Sequence, residues 1–357
     1  MRTETSLQGD KGATIRPLRL AIVGFGRLAQ KYYLPALRSM KGVELVAVAD
    51  PLQASQSAAK GSIPNVTAYS SHQDLLDNEA PDALLVSSPP STHLQIWNDV
   101  CKVGMPVFME KPFVLNEELD RVERLVQERP LLMMNFNRRF WPAFQQLGEL
   151  SRSGCIGELE SAEFVLNVDV MAWSSVTQHR LSPGEGGVLY DLGSQELDLI
   201  TDVFHEEPRS VLAQIWSERW ESDHVRLGLD FGSGMTVRCE LAYTGRNQES
   251  IVIHGRQGKL RLNNPNTAIH LELNDSRRHS VIGRTRDALV FGYRALRRDR
   301  SMLRYTIRAS IEAFVNALRA NTPFSSGFED AERNALWLEG ASQSHSEKKP
   351  ITVTYSG

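Results

Sequence analysis

Two glycines one residue apart, Gly24 and Gly26, follow directly on the apolar run from Leu18 to Val23, and a small residue, Ala29, stands three positions further on. Behind them Tyr32, Tyr33, Ala36 and Leu37 continue at helical spacing, so the local order is strand, tight turn, helix. In such a turn the first glycine permits the bend, the second lets backbone approach a pyrophosphate, and the small third residue lets helix pack on strand. The anion then rests on the helix N-terminus. A second apolar run, Val43 to Ala49, ends in Asp50 about twenty residues beyond the turn, where a carboxylate accepts hydrogen bonds from ribose hydroxyls. Those residue types at those spacings describe a dinucleotide site. Asp50 would repel a 2′-phosphate, and Pro51-Leu52-Gln53 brings no arginine to receive one, which points to NAD(H) over NADP(H).

A second candidate for chemistry is Lys111, which stands between Glu110 and Pro112 just after the apolar run Pro106 to Met109. Open α/β sheets bind ligands at the carboxyl ends of their strands, and a lysine placed there can exchange a proton with a substrate hydroxyl or carbonyl as a hydride moves. His93 closes the segment Ser87-Ser88-Pro89-Pro90-Ser91-Thr92 after the buried run Ala83 to Val86. It either contacts the dinucleotide or is a helix-start histidine satisfied by backbone.

The elements that must position these groups alternate in kind. Helices are expected over Ala54 to Lys60, over Ser71 to Leu76 with Ser71 and Asp74 in capping-box spacing, and around Leu94, Ile96, Trp97 and Val100. Strands are expected at Thr67 to Tyr69, Ala83 to Val86, Pro106 to Met109 and Leu131 to Met134. That alternation predicts a right-handed, doubly wound parallel sheet. Beyond it the pattern changes to β-rich runs: Glu158 to Val170, Ser210 to Trp216, Val225 to Phe231, Met235 to Ala242, Ile251 to His254 and Lys259 to Leu262. Short links such as Gly232-Ser233-Gly234 make this an antiparallel sheet. Helical stretches at Thr306 to Ala320 and Phe328 to Ala341 precede a terminal strand, Ile351 to Thr354.

At 357 residues the chain has material for about two domains, and its net charge of −3 argues against nucleic-acid binding by the protein as a whole. Three cysteines, Cys101, Cys155 and Cys239, are widely spaced and form no Cys-x-x-Cys pair, so neither a disulfide framework nor a metal site is expected. No stretch approaches the ~20 apolar residues of a membrane span, and the polar residues 1–17 read as a flexible tail of a cytoplasmic protein.

The glycine turn, Ser88-Pro89-Pro90 with His93, Glu110-Lys111-Pro112, Asn137-Arg138-Arg139-Phe140, and Gly186-Gly187-Val188-Leu189-Tyr190-Asp191-Leu192-Gly193 occur in that order. In this the chain resembles the glucose-fructose oxidoreductase / inositol dehydrogenase (Gfo/Idh/MocA) family, over nearly its whole length beyond the tail. The resemblance implies an NAD(P)-dependent oxidoreductase with a Rossmann domain at 18–137. It also implies a C-terminal α/β domain at 138–357, whose large, mostly antiparallel sheet often builds the oligomer and whose late helix returns to the first domain. It assigns the cofactor to Gly24, Phe25, Gly26, Arg27, Leu28, Asp50, Ser88, Pro89, His93, Glu110, Lys111 and Asn137. The catalytic group becomes Lys111, Asp191 and Gln195. The family's usual Asp-x-Gly-x-His reads Asp191-Leu192-Gly193-Ser194-Gln195 here, and a glutamine can orient a hydroxyl but cannot titrate. Three alternatives follow: Lys111 is the sole acid/base, Tyr190 or His179 replaces the histidine, or the redox function has decayed.

The implied substrate is a secondary alcohol or ketone of a sugar, cyclitol or sugar-derived metabolite, with or without a phosphate or nucleotide attached. Two other readings remain: an enzyme that retains NAD and oxidises only transiently to enable elimination or hydrolysis, and a non-catalytic cofactor-binding regulator. The second sheet has more strands than helices to cover it, so an apolar face and a homodimer or homotetramer built on it are expected. From Arg277 to Arg308 the chain carries ten arginines, which suit a solvated face or subunit contact, or else phosphates or an anionic membrane surface.

Overall fold

All four residues of Ala83–Val86 are buried, as a strand covered on both faces requires. The computed structural model describes residues 16–115, 131–172, 181, 187–264, 268–274, 279–282 and 302–354. His179, most of the 171–185 loop, the tail up to residue 15 and most of the arginine-rich segment lie outside the described residues. Strands β1 (Leu18–Val23), β2 (Val43–Ala49), β3 (Thr67–Tyr69), β4 (Ala83–Val86), β5 (Val107–Met109) and β6 (Leu132–Met134) form one parallel sheet in the order β3-β2-β1-β4-β5-β6. The order reverses between β1 and β4, and the crevice beyond their carboxyl ends is where such sheets hold ligands. Helices α1 (Leu34–Arg38), α2 (Gln53–Ser62), α3 (His72–Asn78) and α4 (His93–Lys102) connect these strands. The expected cap of α3 is present, with Ser71 Oγ accepting the Asp74 N–H at 3.0 Å.

The second sheet has nine strands: β7 (Leu159–Val168), β8 (Pro208–Trp216), β9 (His224–Phe231), β10 (Thr236–Tyr243), β11 (Gln248–Gly255), β12 (Gly258–Leu262), β13 (Ile269–Leu273), β14 (His279–Ile282) and β15 (Ile351–Thr352). Their order is β14-β13-β12-β11-β7-β10-β9-β8-β15, antiparallel except where β7 meets β10. Strands β13 and β14 escaped the sequence reading because their runs are short and rich in His, Glu and Ser. One face of the sheet packs on α5 (Pro142–Arg152) and α6 (Ser194–Phe204). The open face is not the apolar surface expected: it carries the cross-strand pairs Arg226–Glu240 and Lys259–Glu272, with Leu212 and Trp216 among its exposed apolar residues.

Two late helices join the halves. On α7 (Met302–Ala320), Ile307, Ile311 and Phe314 share a core with Leu20, Ile22 and Phe108 of the first sheet. The start of α8 (Phe328–Glu347) inserts Phe328 against Trp97, stacked at 5.7 Å, while Trp337, Leu338 and Ala341 further along belong to the core of the second domain. Arg139 ties these elements: it forks onto Asp198 of α6, donates to Asp330 of α8 at 2.8 Å, and donates to the Ser325 carbonyl at 2.8 Å. Burial pushes the Asp198 carboxyl up to about 6 even with the guanidinium beside it. Because its folded-state value lies above the unfolded one, Asp198 binds more protons in the fold, and stability falls as pH rises through that interval. Arg139→Ala leaves the buried Asp198 carboxylate without its cation, while Asp330 keeps Arg333, and is expected to cost about 3–5 kcal/mol. Thermal denaturation should show a deficit that is larger at about pH 8 than at about pH 5, where protonation of Asp198 relieves it.

Candidate active site

At the end of β1 the chain turns at Gly24, whose φ is +85° and whose missing side chain matters twice: a Cβ there would lie 2.6 Å from the Ser88 nitrogen. Only glycine lets the turn approach the end of β4 so closely, and Ser87 Oγ closes the contact by donating to the Gly24 carbonyl at 2.6 Å. Gly26 is different, since a Cβ there would meet nothing within 4 Å. Its open side faces a groove of about 560 Å³ lined by Gly24, Gly26, Arg27, Leu28, Asp50, Ser88, Pro89, Glu110 and Lys111. Asp50 is 7% exposed, accepting the Phe25 N–H on one oxygen at 2.8 Å and the Leu52 N–H on the other at 2.9 Å. The carboxylate thus fastens the glycine turn to the end of β2 and keeps lone pairs for hydroxyls in the groove.

Three residues assigned to the cofactor sit elsewhere. The Phe25 ring is wholly buried in the core, and its backbone N–H is taken by Asp50. His93 is wholly buried too, with Nδ1 2.8 Å from the Pro112 carbonyl and Nε2 3.1 Å from that of Ser88. Of its two sequence readings the structure realises the backbone one, and the ring braces the loop that carries Lys111. Asn137 lines a second cavity of about 530 Å³ rather than the groove.

That second cavity lies against the second domain and shares Leu28, Glu110, Lys111 and Asp191 with the groove. Lys111 Nζ, on a side chain 7% exposed, donates to Asp191 Oδ1 at 2.6 Å and to the Asp191 carbonyl at 2.7 Å. Glu110 is fixed from behind by Tyr33 Oη and Asn135 Nδ2, both 2.6 Å from Oε1. Burial, reinforced by the Glu110 charge, drives the Tyr33 phenol well above its ordinary value, so it stays protonated and donates. Asp191 occurs in a π-helical turn, Leu189–Gly193, ahead of α6, a wide turn of the kind that recurs at functional sites. Gln195 follows one turn later, lines only the second cavity, and has no hydrogen-bond partner among the described residues.

Tyr243, which the sequence reading missed, donates from its phenol to Asp191 Oδ2 at 2.6 Å. The support beneath is a loop held by Asp223. Burial opposes ionisation of Asp223, but the N–H groups of Trp220, Glu218 and Arg219 together with His224 outweigh it and hold the carboxyl down to about 2. The Asp223 carbonyl accepts the Tyr243 N–H at 2.9 Å, and the Ser222 carbonyl accepts the Val188 N–H at 3.1 Å where the chain enters the π-turn. Nothing local marks Tyr243: it ends an apolar strand, and only its phenol's reach across to the π-turn shows a role. Tyr190 lines the groove. Among the described residues no cluster of three or more potential metal ligands occurs, and no helix is long and apolar enough to cross a membrane.

Residues 18–136 match the family model described as "Oxidoreductase family, NAD-binding Rossmann fold", and residues 144–261 match the "GFO/IDH/MocA C-terminal domain". The chain belongs to the Gfo/Idh/MocA oxidoreductase family. It is 26% identical over 355 residues to an inositol 2-dehydrogenase of Rhizobium meliloti (strain 1021), covering 94% of this chain and 99% of that one. It is 30% identical to the rhizopine catabolism protein MocA of Rhizobium meliloti over 53% of this chain and 58% of the relative. The chain spans about half the length of most of the curated relatives it matches. In fold it is similar to a levoglucosan dehydrogenase solved with NADH and levoglucosan, with a TM-score of 0.79 at 17% identity over 95% of this chain and all of the other.

In such an oxidoreductase Tyr243→Phe removes one charge-assisted hydrogen bond from Asp191, of about 1.5–3 kcal/mol. Turnover is expected to fall by roughly 10- to 100-fold with dinucleotide affinity unchanged. Steady-state kinetics and dinucleotide titration on the variant check this; an unaltered kcat shows that Asp191 needs no such support.

Proposed function

We propose that the protein is an NAD(H)-dependent oxidoreductase acting on a secondary alcohol or ketone of a sugar, cyclitol or related metabolite, with Lys111 as the acid/base. The observation that carries this reading is the position of the Lys111 ammonium on the boundary between the groove and the second cavity. An ammonium has three N–H donors, and Asp191 takes two of them, which leaves one for a substrate oxygen. Bound in the groove, the nicotinamide would supply or accept the hydride. The groove residues fit such a dinucleotide: the open side of Gly26 admits a pyrophosphate, and the Asp50 carboxylate receives ribose hydroxyls.

In the direction of reduction the Lys111 ammonium, held by Asp191, donates a proton to the carbonyl oxygen as the hydride arrives; oxidation runs the same transfer in reverse, from the hydroxyl to the neutral Lys111 amine, and Asp191 stabilises the ammonium that forms. Gln195 orients the substrate by donating and accepting, without titrating. The inositol and levoglucosan dehydrogenases to which the chain is similar support a polyhydroxylated substrate. The choice of NAD(H) over NADP(H) rests on Asp50 and on the want of an arginine in Pro51-Leu52-Gln53.

Removal of the acid/base by Lys111→Ala is expected to reduce turnover by at least ~10²–10⁴-fold while NADH still binds. Absorbance of reduced nicotinamide against a panel of sugars and cyclitols measures this, and full activity in the variant refutes the lysine-centred mechanism. Product formed without net NADH would instead identify transient oxidation with retained cofactor. Calorimetric titration of NADH and NADPH tests the cofactor choice; tighter NADPH binding overturns it.

A further inference from the structure

The second cavity contains an arrangement that the proposed hydride chemistry does not use. Arg138 stands in its wall, 8% exposed, with its guanidinium 4.6 Å above the Phe144 ring. Two carboxylates close on that one cation. Glu249, which also lines the cavity and is 17% exposed, accepts a hydrogen bond from Arg138 Nη2, and Glu196, 2% exposed, brings Oε1 within 2.8 Å of the same nitrogen. The Glu196 contact is Coulombic rather than an aligned hydrogen bond, since that oxygen has no hydrogen-bond partner. Among the described lining residues the only other cation is Lys111, and Asp191 holds it.

The remaining polar wall is mostly carboxamides, Asn137, Asn167, Gln195, Asn247, Gln248 and Asn264, with Tyr32 and Glu110 beside them. Each carboxamide can both donate and accept, which is the complement of a hydroxyl. Trp141, Leu166 and Val168 supply apolar surface for the C–H face of a ring.

We propose that this cavity selects uncharged polyhydroxylated substrates over those bearing a carboxylate or phosphate, and that Glu249 sets the preference by neutralising Arg138. The inference rests on the oxidoreductase reading above and narrows its substrate class. An anionic group entering here meets Asp191 and Glu249 with no cation left unpaired among the described lining residues, and it must shed its hydration to do so. Burial pushes Glu196 up to about 7, against the pull of Arg138 and with the help of the Glu249 charge. Whether Glu196 is protonated or not, the trio is neutral or carries one negative charge, so it offers no net positive field.

The test uses the full chain, saturated with NADH for calorimetry and supplied with excess NAD+ for turnover, and matched probes: D-glucose with D-glucuronate and D-glucose 6-phosphate, and myo-inositol with an inositol monophosphate. Calorimetry and turnover are measured on the wild type, on Glu249→Gln, and on Glu249→Gln combined with Arg138→Met. The wild type should bind a neutral member at least about tenfold more tightly than its anionic partners. Glu249→Gln should move the anionic-to-neutral ratio toward the anions by about tenfold or more, and the double variant should move it back. Equal or tighter wild-type binding of the anions, failure of any neutral probe to bind, or an unchanged ratio in Glu249→Gln overturns the proposal. The wild-type panel decides even if the single variant does not fold. Selective binding of neutral probes with no oxidation of any of them would sink the oxidoreductase reading and leave this one standing.

Discussion

The ion pair between Lys111 and Asp191 is the constraint on which the rest of the site depends. Its partners are 80 residues apart in the chain, one at the carboxyl end of β5 and the other on the π-turn of the second domain. Withdrawing both charges from water is unfavourable unless the leftover donors and acceptors are satisfied. The surroundings meet that demand. The Asp191 carbonyl takes a second Lys111 N–H, and Tyr243 caps the far carboxylate oxygen. The pair therefore has one geometry only when both domains hold their elements in register, so the catalytic candidate and the docking of the domains are a single problem.

Each domain solves its half with buried polar braces rather than with loops free in solvent. His93 ties the Ser88 and Pro112 carbonyls, so the turn beneath the groove and the loop bearing Lys111 move together. On the other side the Asp223 loop receives Val188 and Tyr243 on neighbouring carbonyls, which sets the π-turn against the end of β10. Arg139 then spans α6, the Ser325 carbonyl and α8, and so links the helix after Asp191 to the helix that packs on both cores. The division of labour follows. The first sheet provides the groove, the second provides the carboxamide-lined cavity, and the four residues shared by the two spaces are where a cofactor and a substrate would meet.

By itself the sequence determined the parallel sheet and most of the groove, because those signals are local. Gly24, Gly26 and Asp50 are readable from spacing, since a turn, a close approach and a strand end are each set within a few residues. Family resemblance extended this to Lys111, Asp191 and the glutamine at position 195. The roles of Phe25, His93 and Asn137 were beyond spacing, because whether a side chain faces a ligand or a core depends on which way packed neighbours turn it. Tyr243, the doubly held Arg138 and the charged open face of the second sheet were decided only by tertiary structure. Each depends on contacts between residues tens to more than a hundred positions apart, such as Arg138 with Glu249, and no periodicity within a strand or helix encodes such a pairing.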